Sequence, residues 1–372
     1  MIRLKYTALL LLSSAFFFSC SSEPGPLEEP DVVVEPNKPT PYQLVIPNNL
    51  PKTFTIPENN PLTVEGVELG RHLFYERKLS GDNTMSCSTC HQQQLAFTDG
   101  KAVSFGIARR PTKRGAMSLA NMLWFNRFNW DGEANSLEQQ ALIPLESELE
   151  MHQSLSDGVK KLQETGLYPP MFQKAFGSST ITEENVLKAL GQFQRTLISG
   201  NSRYDQYLEN KINLTPDEME GMALFMTHPE PAQNLRGGNC GDCHGGTLLT
   251  TRTFHNNGLD VELKDNGLGA ITGRATDNGK FKAPSLRNIA LTAPYMHDGR
   301  FETLEQVLDH YNELHLFNNP NLDPLIMEAS NMTNGRTLKL TEEEKQKIIK
   351  FLHTLTDESF ITDPRFSDPF KQ

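Results

Sequence analysis

Two copies of one five-residue pattern constrain this chain more than any other feature. Each copy has two cysteines separated by two residues and followed at once by a histidine, at residues 87–91 and 240–244. Two thiols at this spacing can form thioethers with the vinyl groups of a haem, and the adjacent imidazole then reaches the iron. The pattern therefore predicts two covalently bound c-type haems, held in the first copy by Cys87, Cys90 and His91 and in the second by Cys240, Cys243 and His244.

The number and arrangement of the cysteines help to distinguish haem attachment from other uses of a Cys-x-x-Cys pair. The chain has five cysteines, of which the two motifs use four. The alternative for a Cys-x-x-Cys pair is a zinc or thiol redox site in which the histidine is incidental. Two thiol-plus-imidazole motifs in a chain that begins with an export signal favour haem over that alternative.

The N-terminus has the features of such a signal. Two basic residues precede an apolar stretch that ends shortly before Cys20. This order predicts a lipoprotein signal peptide at residues 1–20 with Cys20 as the lipidated residue, and a plain secretory signal is the alternative. Residues 21–43 are rich in Pro and Glu and are predicted to form a disordered tether. The protein is thus predicted to be a periplasmic, membrane-tethered lipoprotein that meets the membrane only through its N-terminal lipid.

Charge narrows the range of partners. The formal net charge is −11, and the sequence has no basic stripe. Nucleic acid is therefore excluded as a partner. The acidic balance is compatible with the docking of a small basic electron-donor protein.

Similar segments precede the two motifs. Residues 68–74 and 220–225 both end in Leu-Phe and lead through a polar loop into the Cys-x-x-Cys-His pattern. This weak internal similarity predicts two related domains in tandem. We place an N-terminal haem domain at 44–205, a C-terminal haem domain at 206–360 and a short tail at 361–372.

Helical signals dominate the remaining sequence. Thr215 and Glu218 form a capping-box pattern with proline at the first helical position. Residues 186–197 and 348–355 carry apolar side chains three and four positions apart. Long loops containing Gly, Asn and Pro separate these segments. The predicted fold class is all-α, with two tandem cytochrome c-like haem domains and long irregular loops.

Three further motifs carry a resemblance to a known family. They are Asn-Trp-Asp-Gly at 129–132, Phe-Lys-Ala-Pro-Ser-Leu-Arg-Asn-Ile at 281–289 and Ala-Pro-Tyr-Met-His-Asp-Gly at 293–299. Together with the two cysteine motifs, this ordered set resembles the bacterial di-haem cytochrome c peroxidases, and in particular their MauG-like branch. The resemblance implies a peroxidatic N-terminal haem and an electron-transfer C-terminal haem. It also implies hydrogen peroxide as substrate, a cytochrome c or cupredoxin as electron donor, and a homodimer.

The resemblance assigns roles near the first haem. Trp130 matches the tryptophan between the haems, Glu150 the distal acid that helps to cleave the O–O bond, and Gln140 a distal-side glutamine. Each residue has a structural alternative. Trp130 could be an ordinary core aromatic, and Glu150 could belong to a solvated acidic run.

The sequence departs from the typical peroxidases on the first haem. Ile107 stands where those enzymes have a histidine that closes the peroxidatic haem, and an alkyl side chain cannot bind iron. No histidine lies between His91 and His152. The first haem is therefore predicted to be open, as in the MauG-like branch, with Met117 as an alternative ligand.

A second departure concerns the C-terminal haem. Tyr311 stands at the position of the usual methionine ligand, and it shares a helix face with Leu304, Val307 and Leu308. A tyrosinate ligand would lower the reduction potential relative to methionine. His310 is an alternative ligand, because imidazole binds haem iron more commonly than phenolate does.

The family also binds a calcium ion between its domains. Thr292 and Pro294 match positions whose backbone carbonyls bind it, whereas Gly115 replaces an expected asparagine ligand. Because Ca²⁺ needs several oxygen ligands, that loss weakens the predicted site.

The leading functional hypothesis is a di-haem c peroxidase that reduces hydrogen peroxide at the N-terminal haem with electrons from the C-terminal haem. A second hypothesis is a MauG-like oxidase that acts on a protein or organic substrate. The third is a non-catalytic di-haem electron carrier, for which Glu150 would have no role.

Overall fold

The computed structural model of the protein describes residues 38–312 and 321–371. The predicted signal peptide, the lipidation site Cys20 and most of the predicted tether lie outside the described residues. Within the described residues, no helix is both long enough and apolar enough to cross a membrane.

Helices account for nearly all the regular structure, which confirms the all-α prediction. The α-helices of the described residues are α1 (Val64–Tyr75), α2 (Cys87–Cys90), α3 (Leu137–Glu146), α4 (Leu155–Gln163), α5 (Tyr168–Phe176), α6 (Glu183–Arg195), α7 (Arg203–Leu208), α8 (Pro216–Met226), α9 (Gly241–His244), α10 (Leu268–Thr272), α11 (Leu304–Asn312), α12 (Pro324–Met327), α13 (Glu342–His353) and α14 (Glu358–Thr362). Two short antiparallel strands, β1 (Phe254–His255) and β2 (Phe281–Lys282), pair with Phe254 opposite Lys282.

The helix that leads to the first motif is packed closely against α6. Thr63 caps α1 by accepting a hydrogen bond from the Gly66 N–H. Gly70 lies against the backbone of α6, where an added Cβ would come within 2.0 Å of the Ala189 carbonyl oxygen. A glycine here allows the two helices to cross at backbone contact. Four residues later, Phe74 is 1% exposed within the first core cluster.

The helix that leads to the second motif repeats this arrangement. The predicted capping box of Thr215 and Glu218 is present at the start of α8. Gly221 lies against α13, where an added Cβ would come within 1.9 Å of the Lys347 carbonyl oxygen. Phe225, again four residues after the glycine, is 1% exposed in the second core cluster. The internal similarity of the sequence thus corresponds to a repeated helix crossing.

Two clusters of buried apolar side chains accompany the two crossings. The first draws on α1 and α3–α6, and the second on α8, α11 and α13. The chain returns to the first cluster at its C-terminal end, where Phe360 and Phe366 are buried. The Tyr75 hydroxyl donates to the Phe366 carbonyl oxygen at 2.7 Å. Part of the predicted tail is therefore packed against the first helix crossing.

A buried ion pair lies where the sequence analysis placed the domain boundary. Arg287 donates two hydrogen bonds to the Asp205 carboxylate, at 2.7 and 2.8 Å, and further ones to the Thr247 carbonyl oxygen. Both charged side chains are almost completely buried. The predicted boundary between residues 205 and 206 falls within α7, and it stays a prediction.

Candidate functional site

The first motif presents a neutral imidazole to a cavity. Its cysteines begin and end the single turn α2, and His91 follows directly. The His91 Nδ1 lies 2.8 Å from the Phe97 carbonyl oxygen, to which it donates. Burial lowers the pKa of His91. The ring is thus held as the neutral tautomer with Nε2 as its free lone pair, which is the form that binds a metal.

The second motif has the same arrangement. His244 ends the turn α9, and its Nδ1 donates to the Pro284 carbonyl oxygen at 3.1 Å. Burial lowers the pKa of His244 to about 4. Pro284 belongs to the motif at residues 281–289, so this motif supplies the carbonyl that orients the second imidazole.

The four cysteines of the two motifs, all within the described residues, are not joined in disulfides. Both sulfur atoms of each motif are therefore available for thioether bonds to a haem.

One cavity of about 1340 Å³ is lined by residues of both motifs. Its walls are mainly apolar, with a few buried polar atoms. The Ser104 Oγ and the Gln194 Oε1 lie at this cavity and have no hydrogen-bond partner within the described residues. Buried polar atoms normally have a partner. The unpartnered atoms, the paired thiols and the neutral imidazoles together fit a large, mainly apolar group with polar edges, as haem is.

Glu150 lies on the same cavity as His91 and is partly buried. Burial raises its pKa; a hydrogen bond from the Ser147 hydroxyl lowers it, and the charge of Glu133 raises it. Glu146 and Glu148, its neighbours in the acidic run, are exposed. The alternative of a solvated acidic face therefore describes those two residues and not Glu150.

Two predicted residues lie close to Glu150. Gln140, on α3, borders the cavity beside it. Ile107 packs its side chain against the first core cluster, and its N–H donates to the Glu150 carbonyl oxygen at 2.9 Å. Ile107 thus supports the backbone of Glu150. Met117, the alternative ligand, also borders the cavity.

Trp130 borders the cavity that residues of both motifs line. Its indole Nε1 donates to the Gly115 carbonyl oxygen at 2.9 Å, and the Gly115 N–H donates to the His297 carbonyl oxygen at 3.2 Å. The Trp130 carbonyl oxygen accepts from the Lys282 N–H at 2.8 Å. These bonds connect the loop after the first motif with two segments that follow the second.

A buried lysine stabilises the turn that carries Trp130. Lys282 is 3% exposed, and its Nζ donates to the Arg127 carbonyl oxygen at 2.9 Å. Its ammonium group lies 5.4 Å from the centre of the Phe125 ring and 5.9 Å from that of Phe128. Burial lowers the pKa of Lys282 to about 7, against the attraction of Asp131. No sequence pattern indicated that this lysine is buried.

The structure separates the two candidate ligands on α11. Tyr311 borders the cavity, and burial raises the pKa of its phenol to about 12. The Asn257 side-chain amide lies 3.4 Å from the Tyr311 oxygen. His310 is 6% exposed, and its Nε2 lies 2.8 Å from the Asn257 carbonyl oxygen. The His310 imidazole thus contacts a backbone carbonyl oxygen, whereas the Tyr311 phenol borders the cavity.

Comparisons with known proteins agree with this geometry. A family model described as di-haem cytochrome c peroxidase matches residues 64–213. The methylamine utilization protein MauG of Methylorubrum extorquens is 35% identical over 322 residues, which cover 85% of this chain and 85% of MauG. This chain belongs to the di-haem cytochrome c peroxidase family.

Two further relatives show the range of the family. The cytochrome c551 peroxidase of Nitrosomonas europaea is 31% identical over 301 residues, covering 80% of this chain and 81% of that enzyme. The crystal structure of a MauG-like protein associated with microbial copper homeostasis superposes with a TM-score of 0.78 at 37% identity, covering 89% of this chain and 100% of that one. Relatives in the family are thus named both as peroxidases and as MauG proteins.

Membership of the di-haem cytochrome c peroxidase family implies haem c cofactors, and the two Cys-x-x-Cys-His motifs are the segments predicted to hold them. The predicted calcium ligands Thr292 and Pro294 border the cavity. The Gly115 carbonyl oxygen, by contrast, is occupied by the Trp130 indole. Among residues 38–312 and 321–371, no group of three or more His, Cys, Asp or Glu side chains is placed to hold a metal ion. Calcium stays a prediction that would depend on backbone carbonyl oxygens.

Three residues of the di-haem site were missed by the sequence analysis, namely Ser147, Asn257 and Met296. Ser147 donates to Glu150, and Asn257 contacts both Tyr311 and Met296. Asn257 is the second residue after β1, which ends at His255. Its proximity to α11 could not be read from the sequence, because it depends on a contact 54 positions apart.

Proposed function

We propose that this protein is a di-haem c peroxidase that reduces hydrogen peroxide at the first motif with electrons received through the second. Two electrons and two protons convert each peroxide molecule into two water molecules. Haem c, when bound at His91 and His244, supplies the redox equivalents and the peroxide-binding position. The observation that carries the proposal is the partly buried Glu150 carboxyl group, which borders the same cavity as His91.

The residues of the first site are suited to handle protons. The Glu150 carboxylate accepts the proton of the incoming peroxide and returns it to the departing oxygen. The Ser147 hydroxyl holds this carboxylate through a hydrogen bond. Gln140, with donor and acceptor groups on one side chain, orients the peroxide. Ile107 offers no side-chain ligand, so the space next to Glu150 stays available to peroxide.

Trp130 and Tyr311 complete the proposal. Trp130 connects the two sites, and its hydrogen bond to Gly115 fixes the plane of the indole. Tyr311 would supply the sixth ligand to a haem bound at the second motif, and the position of its phenol on the cavity supports this role. His310 is disfavoured as a ligand, because its Nε2 contacts the Asn257 carbonyl oxygen.

A second candidate function is oxidation of a protein or organic substrate by the same pair of sites. Tyr311 favours it, because a phenolate ligand lowers the reduction potential of the second site and so makes it a poorer acceptor for a high-potential donor. The similarity to MauG and to the MauG-like structure also supports it. The non-catalytic carrier is disfavoured by the position of Glu150.

The cellular setting completes the proposal. We propose that the protein acts in the periplasm, tethered through a lipid on Cys20. Its partners are a small electron-donor protein or an oxidisable protein substrate. A homodimer and one calcium ion near Thr292 and Pro294 follow from the family resemblance alone.

Stopped-flow mixing of the oxidised holoprotein with peroxide, followed by a reduced small cytochrome c, tests the peroxidase function. Glu150→Gln is expected to slow the reaction with peroxide by about 10²- to 10⁴-fold, since it removes the general base. Glu148→Gln, in the same acidic run but exposed, is the matched control and should react like the wild type.

Two results would contradict the peroxidase function. If peroxide changes neither the wild-type spectrum nor the oxidation state of the cytochrome, the protein is an electron carrier. If peroxide changes the spectrum but the cytochrome stays reduced while a candidate protein or organic compound is oxidised, the MauG-like function replaces the peroxidase function.

A further inference from the structure

The second site contains one polar side chain that the proposed function does not use. The Asn257 Nδ2 lies 3.4 Å from the Tyr311 oxygen and 3.3 Å from the Met296 Sδ. All three residues border the cavity that the second motif lines. The amide therefore offers its N–H groups to the atom that would bind the iron and to the sulfur beside it.

His310 holds the backbone of this asparagine. Its Nε2 lies 2.8 Å from the Asn257 carbonyl oxygen, so the neighbour of Tyr311 on α11 anchors the residue that contacts Tyr311. The imidazole is buried, and its ring lies 5.4 Å from that of Phe301 and 5.2 Å from that of Tyr311. His310 and Tyr311, which are adjacent on α11, thus contact the main chain and the side chain of Asn257, respectively.

The segment that carries Asn257 is fixed from its other side as well. His255, two residues earlier, is paired with Phe281 in the β1–β2 register. The Asn256 carbonyl oxygen accepts from the Asp323 N–H at 2.9 Å, and the Asn256 side-chain oxygen accepts from the Gly258 N–H at 2.9 Å. The position of the Asn257 amide is therefore set by the fold before any ligand binds.

We propose that Asn257 is a positioning residue for Tyr311, and that His310 acts through Asn257 and not as an iron ligand. This inference rests on the proposed role of Tyr311 as the sixth ligand. A phenolate in a buried site carries charge that burial disfavours. An amide N–H that donates to the phenolate oxygen compensates part of that charge and leaves another lone pair of the oxygen for the iron.

The hydrogen bond from Asn257 to Tyr311 also predicts the direction in which the midpoint potential of the second haem changes when the donor is removed. Donation to the phenolate oxygen reduces the electron density that this oxygen gives to ferric iron, and second-shell contacts tune a metal in this way. Removing the donor should therefore stabilise the ferric state and lower the midpoint potential of the second haem. It should also move the phenolate-to-iron charge-transfer absorption to lower energy.

Asn213 provides a control for the substitution itself, because it is an exposed asparagine that does not line the cavity. Asn213→Leu makes the same exchange of an amide for an apolar side chain, away from both motifs. If Asn257 acts on Tyr311 directly, the Asn213 variant should keep the wild-type charge-transfer absorption and midpoint potential.

Resonance Raman, EPR and spectroelectrochemistry of the full-chain holoprotein test the inference, with the wild type, Asn257→Leu, Asn213→Leu and Tyr311→Phe compared. Asn257→Leu has a similar volume but no donor. The expected result is a shifted phenolate signature and a lower potential for the second haem in this variant, with Asn213→Leu unchanged. Thermal unfolding and the haem content of each variant identify any loss of folding. Asn257→Ser, which keeps a short donor, then replaces Asn257→Leu and should show a smaller shift in the same direction.

The outcomes separate this inference from the proposed function. If the wild type shows a phenolate signature that Tyr311→Phe abolishes, and Asn257→Leu and Asn257→Ser both retain it with unchanged energy and potential, the role of Asn257 is overturned while Tyr311 ligation stands. If Tyr311→Phe leaves the wild-type spectrum unchanged, Tyr311 is not a ligand and both proposals are overturned.

Discussion

His91 and His244 are held in the same way. Each imidazole lies at the end of a single helical turn, directly after α2 for His91 and as the last residue of α9 for His244. Each Nδ1 donates to a backbone carbonyl oxygen, of Phe97 or of Pro284. Burial lowers the pKa of both rings. The helices that lead to the two motifs also share a glycine at their helix crossing. The contacts that hold the two imidazoles are thus closely similar.

The other residues that line the cavity near the two motifs differ in kind. The first site has a carboxyl group with a raised pKa, Glu150, while the side chain of Ile107 packs against the first core cluster. The second has the phenol of Tyr311, contacted by the Asn257 amide. The cysteines and the histidine of each site come from five consecutive residues, whereas Glu150 and Tyr311 come from segments far along the chain from those motifs.

Removal of either thiol pair tests whether the two sites bind haem independently, and it should have the largest effect. Replacing Cys87 and Cys90 with serine, or Cys240 and Cys243 with serine, removes both thioether positions of one site. Each double variant should carry one covalent haem, measured by mass spectrometry and by the pyridine haemochrome assay. Two haems in either variant would contradict the assignment of that motif.

The pH dependence of the peroxide reaction probes the first site. Burial raises the pKa of Glu150 above the ordinary glutamate value of 4.5. Because the carboxylate is the active form, the rate should fall about tenfold per pH unit once the pH drops below this raised value. Rates measured from about pH 8 to about pH 4 should show this acidic limb in the wild type and lose it in Glu150→Gln. The same limb in both proteins would show that another group titrates.

Tyr311→Met would remove the ligand difference that distinguishes the second site. A thioether favours the ferrous state relative to a phenolate, so the midpoint potential of the second haem should rise and that of the first should change little. Spectroelectrochemical titration measures both values. An unchanged second potential would show that Tyr311 is not bound to the iron.

The smallest expected effect concerns Lys282, which stabilises the turn between the two sites. Its pKa is lowered from 10.5 to about 7 by burial. Between these values the unfolded state binds more protons than the folded state, so stability should rise with pH by at most about 1.4 kcal/mol per pH unit. Below a pH of about 7, Lys282 is protonated in the folded state, and the full free-energy cost of burying its charge is present.

Lys282→Met should reduce the increase in the free energy of unfolding with pH, because methionine does not titrate. Urea unfolding at several pH values compares the wild type with this variant, and Lys280→Met is the control because its side chain is more exposed. A rise of equal slope in the wild type and Lys282→Met would show that Lys282 does not titrate in this range.

The helical part of the fold was predictable, because its signals are local. The capping box at Thr215 and the apolar periodicity over 348–355 correspond to α8 and α13. The return of Phe360 and Phe366 to the first core cluster was not predictable, since nothing near these residues encodes a contact with α1. The pairing of β1 with β2 likewise depends on distant residues, Phe254 with Lys282 and His255 with Phe281, which are 28 and 26 positions apart.

At the candidate site, too, features encoded by neighbouring residues were predictable and features that depend on distant contacts were not. The motif spacing identified the thiols and imidazoles, because all of these groups lie within five consecutive residues. The choice between His310 and Tyr311 stayed open, since they are adjacent on one helix and only their surroundings distinguish them. The decisive contact, from His310 to the Asn257 carbonyl oxygen, joins residues 53 positions apart.

The asymmetry of the two sites is tested most directly by EPR and optical spectra of the fully oxidised holoprotein. We expect one high-spin ferric haem without a protein ligand opposite His91, and one low-spin ferric haem with phenolate ligation opposite His244. Two low-spin haems, each with a nitrogen or thioether sixth ligand from the protein, would contradict the account, because the site beside Glu150 would then be closed to peroxide.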